Sequence, residues 1–398
     1  MKTSGRRLRV LTLTFVLFIA VTVGTVAFVG TAAATGPTNV ELADLNGDGT
    51  EASPYEITNA SELQAIEQDL GANYTLINDI DASETDGWNA GDGFDPIGNS
   101  SEQFTGTFNG SDNAVSNLYI NRSSENDVGL FGYVDSDGEI ESIGLENVSI
   151  DGDRRVGGLV GFAFGEVNES YATGNVTGSF DVGGLIGRNI GDVNRSYTTS
   201  NVTSDDGQGV GGLVGYNNGG TVNESYATGN VTGVDLFVGG LVGRNSGEVS
   251  KSYATGNVTG RASVSGLVGR NTNSGEVNES YATGNVTGES DVGGLVGRND
   301  RGTVGESYAT GNVTGNSNVG GLVGDDSGTV TTSYWDVNTT SQDTSAGGAT
   351  GLTTEQMKGS SAEDNMTDFD FSVTWDAFDG LRGGAQQISY PYLVANQQ

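Results

Sequence analysis

The sequence predicts an all-β fold: a right-handed parallel β-helix (solenoid) of about 27 residues per coil, with a short N-terminal capping helix. Two sequence blocks recur in fixed phase, and each unit is too short to bury an apolar face without stacking on its neighbours. Repeated glycine with abundant valine and threonine favours two or three short strands per coil, joined by glycine and asparagine turns. The block VGGLVG, or a near variant, begins at Val128, Val156, Val182, Val210, Val238, Val264, Val292 and Val319. The block SYATGNVTG stands unchanged at Ser170, Ser225, Ser252, Ser280 and Ser307.

The first 34 residues are predicted to be an export signal. Arg6 and Arg7 precede an apolar run from Val10 to Gly30, and three alanines end at Ala34. A basic head, a hydrophobic stretch and a small-residue cleavage site are typical of secretory signals, and paired arginines suggest the twin-arginine route. An apolar run of about 21 residues is also long enough to span a bilayer, so an uncleaved membrane anchor is the alternative.

A short helix is predicted near the start of the mature chain. Ser61 is expected to be its N-cap, with the side chain of Gln64 reaching back to it. Leu63, Ile66 and Leu70 have the spacing of one apolar helix face. Because an uncovered first coil invites edge-to-edge association, we expect this helix to cap the solenoid.

The repeat also predicts which side chains face outward. From Ser307 to Thr314, alternate residues fall on opposite faces of a strand. Asn312 begins an N-x-S/T sequon, so its face is expected outside, while small residues such as Ala309 fill the narrow interior. In VGGLVG, Val292 and Leu295 both turn inward if the glycine pair makes a bend. The outward tyrosines are expected to stack as one column: Tyr171, Tyr197, Tyr226, Tyr253, Tyr281, Tyr308 and Tyr334.

After Tyr334 the period stops, and the aromatic-rich segment from Met366 to Tyr392 is expected to close the other end. The predicted organisation is therefore a signal peptide or anchor (1–34), an N-terminal cap with the first coils (35–103), the repeat β-helix (104–335) and a C-terminal cap (336–398).

The chain resembles GLUG-motif proteins. The Gly-Leu-apolar-Gly core appears as Gly158–Gly161 and again, for example, as Gly294–Gly297. Strings before and after the repeats, such as PYEITNASELQAI from Pro54 and SYPYL from Ser389, are also similar to members of that family. The resemblance implies a β-helix of the pectin-lyase or filamentous-haemagglutinin type, in adhesin-like surface proteins. It implies a scaffold and not a reaction.

Composition excludes several classes of function. The formal net charge of −34 argues against nucleic acid and anionic lipid as partners, and it is typical of a protein adapted to high salt. Without cysteine or histidine, the chain has no thiolate or imidazole ligands for zinc or copper and no histidine-based triad. No catalytic, cofactor-binding or metal-binding residue is predicted. Calcium at the acidic turn Asp44–Gly49 is a weak alternative, because Tyr55 stands where a calcium loop needs glutamate.

Four sets of repeated residues are the candidates for function, and most have a structural interpretation. Aspartates before the glycine motif are expected to form a partial ladder: Asp127, Asp181 and Asp291. In-phase arginines, interrupted by Tyr216, are expected to pair with acids such as Glu248 and Glu276 of neighbouring coils, with an acidic sugar chain as the alternative partner: Arg188, Arg244, Arg270 and Arg298. In-phase asparagines are expected to stack as amides: Asn189, Asn217, Asn245, Asn271 and Asn299. Six in-phase asparagines among 18 sequons are candidate glycosylation sites: Asn175, Asn201, Asn230, Asn257, Asn285 and Asn312.

The sequence thus predicts an exported, non-catalytic, adhesin-like protein of the cell surface or extracellular space that contacts surface components or glycans. Membrane contact is expected only if the N-terminal segment stays uncleaved. The alternative is a β-helix that binds or degrades polysaccharide by lyase or hydrolase chemistry. That enzyme predicts one groove where the repeat pattern breaks, with unlike carboxylates or an isolated arginine facing each other.

Overall fold

The computed structural model describes residues 36–382 and 385–396, so the predicted signal segment lies outside it. In the described part, the chain is an all-β parallel solenoid of about eight turns with about 27 residues per turn, as predicted. A regular coil has five short strands instead of two or three, and each pairs in parallel with the same strand of the next coil.

Three sheets run along the solenoid, and all their pairings are parallel. Sheet 1 contains Tyr55–Ile57, Tyr74–Leu76, Thr107–Asn109, Glu139–Glu141, Glu166–Asn168, Asp192–Asn194, Thr221–Asn223, Glu248–Ser250, Glu276–Asn278, Thr303–Val304 and Thr329–Val330. Sheet 2 contains Phe131–Val134, Val160–Ala163, Ile186–Asn189, Val214–Asn217, Val242–Asn245, Val268–Thr272, Val296–Asp300 and Val323–Asp326. Sheet 3 contains Ile80–Asp81, Ala114–Ser116, Tyr119–Val128, Gly144–Gly157, Tyr171–Gly178, Phe180–Gly183, Tyr197–Thr198, Asn201–Ser204, Gln208–Gly211, Tyr226–Ala227, Val231–Gly233, Leu236–Gly239, Tyr253–Ala254, Val258–Thr259, Ala262–Ser265, Tyr281–Ala282, Val286–Thr287, Ser290–Gly293, Tyr308–Ala309, Val313–Thr314, Ser317–Gly320, Tyr334–Asp336 and Thr350–Leu352.

Helices are few and short. The α-helices are Ala60–Gln64, Val337–Thr340 and Ser360–Asn365, and the 3-10 helices are Leu42–Asp44, Ala65–Gln68, Ser83–Gly87, Asn89–Gly91 and Val394–Asn396. None of the helices in the described part of the chain combines the length and apolarity needed to cross a bilayer.

The interior is a column of small and medium apolar side chains. Val292, Leu295 and Val296 are all fully buried, which confirms that both halves of VGGLVG face inward. The bend that allows this depends on Gly294, where an added Cβ would lie 2.2 Å from the backbone oxygen of Gly321 in the next coil. Glycine at this position therefore sets how closely neighbouring coils approach.

The turn before each Ser-Tyr pair differs from the glycine or asparagine turn expected. Its corner residue has a left-handed backbone with φ of 40–51°, and it is usually charged: Glu169, Arg195, Glu224, Lys251, Glu279, Glu306 and, at the end, Thr332. Hydrogen bonds between coils hold these corners, since the amide of Glu169, for example, donates to the carbonyl of Asn194 at 3.0 Å. The free energy gained from the regular hydrogen bonds between coils outweighs the conformational cost of a positive φ at a residue other than glycine.

The N-terminal helix forms with a different cap from the one expected. Asn59, which is extended, is the N-cap, and its side chain accepts from the amide of Glu62 at 3.0 Å. Ser61 lies in the first turn and accepts from the amide of Thr38, while Gln64 exchanges two 2.9 Å hydrogen bonds with the backbone of Asp95. The predicted capping box is therefore wrong because the helix begins earlier. Its predicted apolar face is confirmed: Leu63 and Ile66 are fully buried, and Leu70 packs against the same core.

The C-terminal segment lies elsewhere than predicted. Residues 342–346 cover the last coil, where Trp335 donates to the carbonyl of Gln342 at 3.0 Å and Ala346 to that of Val323 at 3.0 Å. The later part, including the antiparallel pairs Trp375–Asp376 with Tyr392–Leu393 and Asp379–Arg382 with Ala385–Ile388, follows the side of the solenoid instead. Buried Asp336 anchors it, accepting from the hydroxyls of Thr354 at 2.7 Å and Tyr390 at 2.6 Å.

Candidate functional site

Two columns of side chains flank the VGGLVG bend and form the edges of a surface groove. The first holds the residue before each motif, always with positive φ (50–81°): Asp127, Arg155, Asp181, Gly209, Phe237, Ser263, Asp291 and Asn318. The second lies in sheet 2 and is aligned by parallel pairing: Tyr133, Phe162, Arg188, Tyr216, Arg244, Arg270, Arg298 and Asp325. The predicted aspartate and arginine sets therefore face each other across one groove. The three aspartates form only a partial ladder, since other residue types separate them.

The partners predicted for the arginines are wrong. Glu248 and Glu276 lie in sheet 1, away from the arginine column in sheet 2. Arg270 instead lies 2.6 Å from Asp300, and Arg298 lies 3.6 Å from both Asp291 and Asp325. Because all coils share one register, each side chain lies beside the residues at and near the same position in the adjacent coils. Acids on another sheet are therefore farther away.

Aromatic rings hold the other arginines of the groove. Arg188 lies between Phe162 and Tyr216, with its guanidinium carbon 5.4 and 4.9 Å from their ring centroids. Arg244 lies on the other side of Tyr216, with its guanidinium carbon 4.6 Å from the centroid of that ring. The guanidinium carbon of Arg154 lies 4.3 Å from the ring centroid of Phe180. Cation–π stacking of this kind orients each guanidinium plane.

These side chains surround a cavity of about 170 Å³, which we call the arginine pocket: Arg154, Arg155, Phe180, Asp181, Arg188, Gln208, Gly209, Phe237 and Arg244. The pocket lies where the repeat sequence changes from one coil to the next. Arg154 and Arg155 precede the glycine motif in one coil, and Phe180 and Asp181 occupy the equivalent positions in the next coil. Sequence analysis missed Arg154 and Arg155, although aligning coils of 26 and 28 residues would have placed them beside Asp181.

Burial governs the charge of Asp181 in this pocket. Desolvation raises the pKa of its carboxyl to about 6, and the opposing influence of Arg188, Arg155 and Arg244 does not restore the usual value. Asp127, in the preceding coils, is instead bound in a bidentate pair by Arg155, whose Nη2 lies 2.9 Å from Oδ2.

Asp181→Asn is expected to stabilise the folded chain by about 1–2 kcal/mol near pH 7.5 and to have no stabilising effect near pH 4. A raised native pKa means that the folded state binds the proton more tightly, so wild-type stability falls as pH rises from about 4 through about 6. Denaturant unfolding at constant salt measures the difference.

Asp291→Asn is the matched control, since Asp291 occupies the same column but accepts from Asn318 at 2.8 Å and faces Arg298. It should not gain stability near pH 7.5. A loss of stability for Asp181→Asn at that pH would contradict the assignment and mean that the arginines are paired with this carboxylate.

The tyrosines form the predicted external stack over six coils. Successive rings from Tyr171 to Tyr308 have centroids 4.8–5.2 Å apart and planes within 7° of parallel. Tyr334 pairs with Tyr308 through the backbone, but its ring meets Phe369 edge-on at 5.4 Å. Burial and the neighbouring Glu146 raise the pKa of Tyr171 to about 12, so these phenols stay neutral.

Only the first half of this stack is open. The C-terminal segment covers the second half, where Trp375 packs 5.7 Å from Tyr308 and the Tyr308 hydroxyl donates to the carbonyl of Pro391. Tyr171, Tyr197 and Tyr226 are partly exposed, although Ala395 lines a cavity with Tyr197 and Tyr226. They are the part of the tyrosine column available to a partner, which we call the open tyrosine face.

All six candidate glycosylation sites are exposed on one line of the solenoid: Asn175, Asn201, Asn230, Asn257, Asn285 and Asn312. The side-chain oxygens of Asn201, Asn230, Asn257 and Asn285 accept from the backbone amide of the next asparagine in the line, at 3.1–3.3 Å. This contact uses the amide oxygen and not the nitrogen, which is the atom that N-linked glycans modify.

The acidic turn at Asp44–Gly49 is held by its own hydrogen bonds. Asp48 accepts from the hydroxyl of Thr50 at 2.7 Å, which lowers the pKa of that carboxyl, and Asn46 donates to Glu56 at 3.0 Å. Across residues 36–382 and 385–396, no three Asp or Glu side chains are grouped so that they could hold a metal ion. These hydrogen bonds fix the conformation of the turn from within the chain.

Comparison with known proteins confirms the resemblance to GLUG-motif proteins. The family description "The GLUG motif" matches four segments, residues 152–177, 206–232, 238–259 and 288–314. Halomucin of Haloquadratum walsbyi is 43% identical over 139 residues, which are 33% of this chain and 2% of halomucin. A Gly-rich membrane protein of Evansella cellulosilytica is 37% identical over 128 residues, which are 31% of this chain and 15% of that protein. The chain thus spans a small part of the length of these relatives.

Two solved structures are similar in outline. A protein from Bacteroides ovatus described as an immunoglobulin A1 protease aligns with a TM-score of 0.49 at 18% identity, over 88% of this chain and 94% of that one. A second structure, named IgA1 protease, aligns with a TM-score of 0.40 at 17% identity, over 74% of this chain and 20% of that one.

Proposed function

We propose that this chain of GLUG-motif repeats is a non-catalytic, adhesin-like scaffold of the cell surface or extracellular space, working at high salt. The observation that carries the proposal is the open tyrosine face, three parallel rings spaced 4.8–4.9 Å apart on a rigid parallel stack. Halomucin, a relative from Haloquadratum, supports a surface role in brine. The net charge of −34 supports the same environment.

A repeated aromatic face suits weak, multivalent binding. Each tyrosine offers an apolar ring and a hydroxyl at little cost in side-chain entropy. Neighbouring copies on one rigid surface raise the effective concentration for a partner that is itself repetitive, such as a surface polymer or glycan. In a parallel β-stack the spacing of the sites cannot vary, so a partner with matching periodicity is favoured.

The polysaccharide-degrading alternative has less support. Hydrolysis of a glycosidic bond needs two carboxyl groups at a defined separation. The arginine pocket, which is the place where the repeat breaks, is lined by a single carboxylate, that of Asp181. We therefore assign no reaction to this groove.

Glycosylation along the sequon line is part of the proposal. The six asparagines are exposed and the side-chain oxygens of four of them are engaged along the line, which presents those acceptor nitrogens in one direction. Glycans there would lie on different strands from the arginine groove, since the sequons lie at the start of strands such as Asn201–Ser204 and Val231–Gly233, and the groove lies at strands such as Gln208–Gly211 and in sheet 2.

The scaffold role is tested by sedimentation of the purified full chain with cell envelopes of the source organism, at its native salt concentration. The wild-type protein is expected to co-sediment, and the triple variant Tyr171→Ser, Tyr197→Ser, Tyr226→Ser to bind about tenfold more weakly because multivalent contacts are lost together. The matched control is Thr221→Ala, Thr303→Ala, Thr329→Ala, which changes three in-phase surface residues of sheet 1 and leaves every sequon intact. Absence of binding by the wild type, or equal binding by the tyrosine variant, would count against the proposal.

A further inference from the structure

The arginine pocket concentrates positive charge on a strongly acidic chain. Four of the 17 basic residues line one cavity of about 170 Å³. Arg155 is neutralised by Asp127, but within the described residues Arg154, Arg188 and Arg244 have no carboxylate oxygen within 4.0 Å. Elsewhere in the same column, Arg270 and Arg298 do have acidic partners. Charge compensation therefore stops at the pocket.

The hydrogen-bonding capacity of these guanidinium groups is also unused. Nε of Arg188 and Nε of Arg244 are buried, and neither atom has a hydrogen-bond partner among the described residues, a property that they share with Nε of Arg270 and Nε of Arg298 in the same column. A buried donor without a partner is costly, and in native proteins it points to a ligand, an ion or a water molecule. Asp181 does not meet this need, since it forms no hydrogen bond or ion pair with either arginine in the described structure.

Stacking leaves the donor edges of the guanidinium groups available. Arg188 and Arg244 lie in the coils on either side of Tyr216, with their guanidinium carbons 4.9 and 4.6 Å from its ring centroid. A guanidinium group that stacks on an aromatic face keeps its N–H donors at its edges. Tyr216 is itself 8% exposed and acts as a rigid spacer between the two charges. Fixed guanidinium planes match the two oxygens of a carboxylate or sulfate, each of which accepts a pair of parallel hydrogen bonds.

We propose that the arginine pocket binds a single oxyanion, a carboxylate or sulfate group, carried by an acidic saccharide. The cavity is smaller than the 300–1,000 Å³ or so typical of drug-sized ligands, which limits the bound part to about one anionic sugar unit. Phe180 and the largely buried Phe237 line the same pocket. Whatever ring surface is left beside Arg154 and Arg270, which lie over them at 4.3 and 5.0 Å, offers apolar contact for a sugar ring. Direct contacts in a half-enclosed pocket are screened by salt much less than exposed charges are, so binding persists in brine. The inference is independent of the scaffold role, because it concerns one pocket and a soluble ligand.

Calorimetric titration of the full chain at constant ionic strength tests the pocket. The probes are galacturonate, glucose 6-sulfate, inorganic sulfate and glucose. We expect one or both acidic sugars to bind, and the double variant Arg188→Gln, Arg244→Gln to weaken that binding about 100-fold, since each charged contact is worth about tenfold. Arg298→Gln, in the same column but paired with acids, is the matched control and should leave the affinity unchanged.

The probes separate the sources of the anion. Preference for galacturonate identifies a carboxylated sugar, and preference for glucose 6-sulfate identifies a sulfated one. Inorganic sulfate that binds as tightly as both sugars, glucose that binds as tightly as either acid, or an equal loss in Arg298→Gln would each overturn the proposal.

Asp181→Asn provides a second variant that does not remove an arginine. The groups that face Asp181 are Arg154, Arg155 with its partner Asp127, Arg188 and Arg244. Replacing the carboxylate removes its repulsion of a bound anion, so affinity near pH 7.5 is expected to rise several-fold. Unchanged or weaker binding of both acidic sugars in this variant would contradict an oxyanion at the centre of the pocket.

Discussion

Gly212→Ala is expected to destabilise the solenoid by about 4 kcal/mol or more, an exceptional effect for the addition of one methyl group. The new Cβ would lie 2.1 Å from the backbone oxygen of Gly240 and 2.8 Å from the Cβ of Ala227. Both obstacles are rigid, because Gly240 belongs to the next coil and Ala227 to the core. The coils can relieve the clash only by separating, which breaks the 3.3 Å hydrogen bond from the Gly212 amide to the carbonyl of Gly239.

Denaturant unfolding of the two proteins at equal salt measures this loss. Since each coil contacts only its neighbours, the damage should also uncouple the coils on either side, and the variant is expected to unfold in two transitions. Gly87→Ala is the matched control, because nothing lies within 4 Å of its added Cβ. It should change stability by less than about 1 kcal/mol. Similar losses in both variants would show that chain entropy, and not the contact between coils, makes glycine necessary at position 212.

The repeats allowed most of this fold to be predicted from sequence. Two blocks in constant phase determine the coil length, and once coils stack in register, equivalent residues must form columns. The tyrosine stack and the buried asparagines followed directly. Within VGGLVG, the two glycines are not equivalent: Ser265 replaces the first, whereas the second is glycine in every full copy, as at Gly212. That difference was visible in the sequence and marks the point of closest approach between coils.

The predictions that were wrong concerned contacts that the repeat does not encode. The arginines were assigned to glutamates by charge alone, but the register placed Arg188 between Phe162 and Tyr216 instead. The C-terminal segment has no period, so its position over Tyr308 came only from tertiary packing. The predicted helix cap was wrong because two nearby residues can both act as an N-cap, and Asn59 begins the helix two residues before Ser61.

The asparagine column is the polar counterpart of the apolar core. Its five members are fully buried, and the side-chain nitrogen of each of the first four donates to the side-chain oxygen of the asparagine in the next coil at 2.9–3.0 Å: Asn189, Asn217, Asn245, Asn271 and Asn299. The chain of amides has a direction. It ends where Asn299 donates to Asp326 at 2.8 Å, and it begins at Asn189, whose oxygen has no hydrogen-bond partner in the described part of the chain because Ala163 precedes it in the column.

Asn245→Asp is expected to cost about 3–5 kcal/mol near pH 7.5, the range for a buried charge without a charged partner, although the Asn217 amide and the Gly247 N–H would still donate to one of its oxygens. Asn245 donates to Asn271 at 2.9 Å and to the carbonyls of Gly247 and Glu276 at 3.0 and 3.2 Å. A carboxylate there would place negative charge against three acceptor oxygens and could donate to none of them. An aspartate does occupy the equivalent position in the last coil, at Asp326. It is tolerated there because that position lies at the accepting end of the ladder and is only partly buried.

The cost of Asn245→Asp should fall as the pH is lowered, which distinguishes it from a simple loss of packing. Burial among acceptors raises the native pKa of the introduced carboxyl, so the penalty is complete above that pKa and shrinks toward pH 4, where the protonated acid again donates one hydrogen bond. Urea unfolding of variant and wild type at each pH gives the difference. Asn230→Asp, at an exposed asparagine whose oxygen accepts from the amide of Asn257, is the matched control and should stay within about 0.5 kcal/mol of the wild type. A penalty in Asn245→Asp that does not change with pH would mean that shape, and not the direction of hydrogen bonding along the amide ladder, selects asparagine in the interior.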